Sequence, residues 1–125
     1  DLHSFPTRRS SDLIKDVLYR LQGDKELLLE LVQIFLEDAP QRFKDVAALI
    51  EKGDFLELAD AAHSVKGAAS NIGANKLWKT FRELEEAAKQ KNLNHVNDLF
   101  KRASLEFVEL QEYIVQLKSQ LAALT

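Results

Sequence analysis

The sequence predicts an all-α domain: an antiparallel up-down-up-down four-helix bundle with a short additional N-terminal helix. Three observations carry that expectation. Only four Gly and two Pro occur in 125 residues, so the elements must be few and long. Strand alternation is absent, and no Asn-Gly or Asp-Gly pair offers a tight hairpin. The last thirty residues repeat apolar side chains at alternating spacings of four and three, the seam of helix-bundle packing.

Each element follows in order. Residues 1–12 are rich in Ser and Arg and have no helical period. They resemble translated adapter sequence and are set apart as a non-native or disordered segment, with the folded domain expected over 13–125. A short helix is expected over 13–21, with Leu13, Val17, Leu18 and Leu21 on one side. Gly23 stops it and Asp24 caps the next. That helix runs over 25–39, and Pro40 either kinks it or opens a new one. Phe43, Val46, Ala47 and Ile50 carry an apolar stripe on to Lys52. Gly53 and Asp54 repeat the stop and cap. A helix over 55–71 follows and ends at Gly73. Another spans 75–91, with Leu77, Phe81, Leu84 and Ala88 inward. The break at 92–94 precedes the last helix, about 94–123, with its seam at 96, 100, 103, 107, 110, 114, 117, 121 and 124. Two long and two short helices with short links suit a bundle whose long pair protrudes at one end.

Composition limits function. With no Cys, thiolate metal sites, iron–sulfur clusters and cysteine nucleophiles are excluded. No apolar run approaches the ~20 residues that span a bilayer, and no signal peptide is visible, so a cytoplasmic protein without membrane insertion is expected. The net charge of −3 argues against a nucleic-acid surface. No Walker loop and no kinase Gly-rich loop occurs, so no ATP site is expected. His-Glu-x-x-His is absent, and His95, at the start of a different helix from His63, shares no metal-ligand spacing with it. Ser64 points to another helix face than His63, which disfavours a nucleophile–base pair.

His63 is the residue to test. At about 100° per residue, Phe55, Leu58, Ala62, Val65, Ala69 and Ile72 share one apolar arc, and His63 lies about 130° from its centre. It is therefore expected in solvent. Lys66, Gly67 and Ser70 share its face. Gly inside a helix costs ~1 kcal/mol relative to Ala, and here it leaves room beside the ring. A neutral imidazole nitrogen is a nucleophile, and the Lys66 cation compensates a phosphoryl group placed on it. The donor must then be another protein.

The segment Ala62-His63-Ser64-Val65-Lys66-Gly67-Ala68-Ala69-Ser70-Asn71-Ile72-Gly73-Ala74 resembles the signature of histidine-containing phosphotransfer (HPt) domains of two-component phosphorelays. Gly-Asp-Lys-Glu-Leu-Leu at 23–28, Phe-Leu-Glu-Asp-Ala-Pro at 35–40 and Arg-Glu-Leu-Glu at 82–85 agree with it. The resemblance implies that His63 accepts a phosphoryl group on Nε2 from a receiver-domain aspartyl phosphate and passes it to another receiver aspartate. It implies that Lys66 and Gly67 match motif positions and that Glu85 holds the other ring nitrogen, against the alternative of a solvated helix charge. The partners implied are receiver domains and a hybrid histidine kinase, with a monomeric chain. No cofactor of its own is implied; magnesium belongs to the receiver's acidic pocket.

Independently of the resemblance, apolar residues cover about 220° of the 25–39 helix, more than the ~100° a core-facing helix needs. The excess is covered by the 13–21 helix or docks a receiver helix. Rival readings are the phosphoacceptor domain of a chemotaxis-type histidine kinase and a non-catalytic helical adaptor in which His63 is incidental. The dimerisation domain of a sensor kinase fits less well: an acidic residue normally follows its His, with Thr or Asn at i+4, where this chain has Ser64 and Gly67.

Overall fold

The computed structural model describes residue 19 and residues 21–123. The segment 1–12 lies outside the described residues, and so does nearly all of the helix expected over 13–21. Four helices make up the described residues, and no strand occurs among them: α1 (Lys25–Lys52), α2 (Phe55–Asn71), α3 (Asn75–Lys89) and α4 (Leu93–Ala123).

Local chemistry sets the boundaries. The Asp24 and Asp54 carboxylates accept from the backbone N–H of Leu27 and Glu57, capping α1 and α2 as their positions predict. Gly53 closes α1 at φ +72°, a left-handed conformation that a Cβ disfavours. α3 ends two residues earlier than expected, because Lys91 turns into the left-handed region at φ +58°. Asn92 then accepts from the His95 N–H at 3.2 Å and opens α4.

Pro40 neither ends α1 nor starts a second helix; one helix of 28 residues runs through it. A proline here removes the bond to the Leu36 carbonyl. Pro40 lies on the exposed side, where water can serve that carbonyl, while Ala39 is buried and Phe43 packs on the core. Burial of both flanks holds the two halves in one helix.

α1 packs mainly on α2 and α4, and α3 mainly on α2 and α4, which closes a ring around one core. Phe43 of α1 stacks on Phe107 of α4 with centroids 4.9 Å apart and meets Phe81 of α3 edge-on at 5.5 Å. The four residues assigned inward on α3 are all buried, and the α4 seam is buried or half-buried through Leu117. Ala47, assigned to the α1 stripe, is instead exposed. Partner numbers fall along one helix as they rise along the other. Gln33, Phe35 and Phe43 meet Lys118, Phe107 and Phe100, and Thr80 and Glu83 meet Glu106 and Arg102. With Phe81 and Leu84 locked inward, Glu85 emerges at the edge of α3 beside α2.

Candidate functional site

The apolar arc of α2 decides where His63 points. Leu58, Ala62, Val65, Ala69 and Ile72 are buried, and Phe55 is half-buried. His63, on the far side of the helix, keeps 67% of its side chain exposed. Nδ1 lies 3.3 Å from Glu85 Oε1 on α3, and among the described residues Nε2 has no hydrogen-bond partner.

Glu85 is no solvated helix charge. Only 13% of its side chain is exposed, and three groups converge on its carboxylate. Oε1 takes Lys66 Nζ at 3.0 Å as well as the ring, and Oε2 takes Lys89 Nζ at 3.3 Å. Burial alone would push this carboxyl up. Hydrogen bonds from Lys66, Lys89 and His63, with the Lys66 charge, hold it below the ordinary carboxylate value. It is therefore ionised at neutral pH and can only accept, which in the neutral ring favours the proton on Nδ1 and the lone pair on Nε2.

Gly67 faces open space: a Cβ built on it would meet nothing within 4 Å. Close helix packing therefore does not account for this glycine. Ser64 turns away from the ring and accepts from the Arg42 guanidinium of α1, which also pairs with Asp38. Next to that link, Leu31, Ile34 and Phe35 of α1, Ala68 of α2 and Ile72 at its C-cap line a groove of about 200 Å³, together with Asp38, Arg42 and Asn71. Ile34 in it is 55% exposed. His95 is exposed near the start of α4, and no group that could hold a metal ion occurs among the described residues. No described helix is long and apolar enough to cross a membrane.

The sequence reading placed His63, Lys66, Gly67 and Glu85, and the fold brings them onto one face at the α2–α3 edge. It missed Lys89. The signal was present: Glu85 and Lys89 stand at i and i+4, in the order that favours an ion pair on a helix.

Residues 30–124 match the family model of the Hpt domain. No match was found among curated protein sequences. Among solved structures, the chain is similar to the histidine-containing phosphotransfer protein ZmHP2 from maize, with 24% identity and a TM-score of 0.73 over 91% of this chain and 85% of that one. A rice protein assigned to the same class gives 22% identity and a TM-score of 0.74 over 89% and 82%. At such identities the structural likeness establishes the fold, and the family match adds lineage over most of the sequence. An exposed, carboxylate-oriented imidazole on a four-helix scaffold thus sits in a chain that belongs to the Hpt domain family.

Proposed function

We propose that this domain relays a phosphoryl group through His63. The His63 Nε2 lone pair attacks the phosphorus of a receiver aspartyl phosphate; the N–P bond forms and the aspartate leaves as a carboxylate. Positive charge develops on the ring as it attacks, and the Glu85 carboxylate at Nδ1 stabilises it. Lys66 compensates the arriving phosphoryl oxygens, and the bare backbone turn at Gly67 leaves them space. The reverse attack by a second receiver aspartate returns the ring to its starting state. Magnesium is assigned to the receiver, not to this chain.

The observation that carries this reading is the pairing of an exposed ring with a nearly buried, ionised carboxylate at Nδ1. An up-down-up-down order of the four helices is part of the same reading, supported by the opposed order of partners along α1 and α4 and along α3 and α4. The groove between α1 and α2 is assigned to a receiver helix, because its lining is mostly apolar and includes Arg42, which bonds Ser64, the neighbour of His63.

Incubation with phosphorylated receiver domains tests the proposal. An acid-labile, alkali-stable label on His63 is expected. No label from a panel of receivers would favour the helical adaptor.

A further inference from the structure

We propose that Lys89 is a positioning residue of this site: it anchors Glu85 through Oε2 so that Oε1 stays on the imidazole while Lys66 changes partner. The inference rests on His63 being the phosphoacceptor.

The division of labour on the carboxylate carries it. Oε1 is shared by His63 Nδ1 at 3.3 Å and Lys66 Nζ at 3.0 Å, whereas Oε2 has Lys89 Nζ alone at 3.3 Å. Lys66 and His63 belong to α2, and Lys89 belongs to α3, one turn beyond Glu85 itself. In the resting state Lys66 therefore competes with the ring for one oxygen. A phosphoryl group on Nε2 adds negative charge on the side of the ring facing solvent and draws the Lys66 ammonium toward its oxygens. Oε1 is then released to the Nδ1–H at the moment the ring is most positive. The carboxylate would lose half of its cationic support in that step, and rotation about its last side-chain bond would carry Oε1 away from the ring. Lys89, fixed to the same helix and to the other oxygen, prevents that rotation. No proton or bond is exchanged at Lys89; it acts through Glu85.

A purely structural role gives a different expectation. Lys89 is 57% exposed, and an exposed i, i+4 pair contributes little to a helix. Its removal would then change neither the ring nor the chemistry.

The test compares wild type, Lys89→Met and Lys89→Arg in the intact chain. The imidazole tautomer is read by long-range 15N–1H correlation in the unphosphorylated protein. The rate of phosphohistidine formation is read with phosphoramidate, a small donor: Nε2 attacks phosphorus, the N–P bond of the reagent breaks and ammonia leaves. In Lys89→Met the Nδ1–H tautomer is expected to give way to a mixture, and labelling to slow by about tenfold, as when a partner behind a working imidazole is removed. Lys89→Arg, which keeps the charge, is expected to restore both. A Lys89→Met protein with the tautomer and rate of wild type overturns the assignment. If wild type itself takes no phosphoryl group at His63, the phosphoacceptor reading falls, and the tautomer alone then decides whether Lys89 positions Glu85.

Discussion

α3 carries two polar clusters on two of its faces, and they treat their carboxylates in opposite ways. Toward α2, Glu85 meets two ammonium groups and a ring nitrogen, which outweigh burial and hold it below the ordinary carboxylate value. Toward α4, Thr80 donates to Glu106 at 2.5 Å and accepts from Arg102 Nε at 3.1 Å, while the rest of the Arg102 guanidinium is taken by Glu83. There burial wins and pushes the Glu106 carboxyl up; the Thr80 hydroxyl and the Arg102 and Lys76 charges oppose it only in part, and Glu109 adds repulsion. Residue type does not decide whether a partly buried carboxylate is held below or pushed above its ordinary value. The number of donors facing it does. The first cluster holds an exposed ring at the surface, and the second ties two helices together around Thr80, which is 1% exposed.

The largest effect should come from breaking the first cluster at its centre. His63→Gln is expected to abolish labelling by phosphorylated receivers while leaving the melting temperature nearly unchanged, because the side chain is exposed. Label retained at wild-type level would place the acceptor elsewhere. Breaking the second cluster should do the reverse. Thr80→Val keeps the shape but leaves Glu106 without its hydroxyl donor and Arg102 Nε without its acceptor, a loss of about 1–3 kcal/mol by urea unfolding, with labelling by phosphoramidate intact. A smaller and opposite change is expected at Gly67. Alanine there meets no neighbour and gains helix propensity, so Gly67→Ala should stabilise the bundle by up to ~1 kcal/mol while slowing transfer from a receiver, whose approach needs the space. A variant both stabler and equally fast would remove the functional reason for this glycine.

The smallest effect sharpens the contrast in pH. Glu106 binds its proton more tightly folded than unfolded, so its contribution is most favourable below the ordinary carboxylate range and is lost as pH rises through its raised value. Glu85 contributes above the ordinary value, and that contribution is lost as pH falls through its lowered one. Glu106→Gln is therefore expected to raise Tm modestly at about pH 7, with the difference shrinking toward about pH 4. A gain that persists at the lower pH would assign the benefit to packing instead.

Much of the bundle was legible in the sequence, for local reasons. Caps at Asp24 and Asp54, stops at Gly53 and Gly73, and the apolar arcs of α2 and α3 depend on residues within a few positions of each other. The exposure of His63 followed from one such arc. What was not legible lay in competition or in distance. Pro40 left open a kink or a new helix, and packing on both sides of it gave one continuous helix. Thr80, Arg102 and Glu106 lie 22 and 26 residues apart in their hydrogen-bonded pairs and carry no local pattern.

Across the described residues, the amino-acid order alone determined that the chain is helical, where α2, α3 and α4 begin and end to within two residues, and that one imidazole stands outside the core. Helical periodicity is a short-range property, so the order of side chains suffices for it. Only the tertiary structure decided that Glu85 is shared by His63, Lys66 and Lys89 and is held below the ordinary carboxylate value, whereas Glu106 is pushed above it. Those outcomes are set by which helices meet and how many donors the meeting supplies, and electrostatics across an interface is fixed by distance in space rather than along the chain.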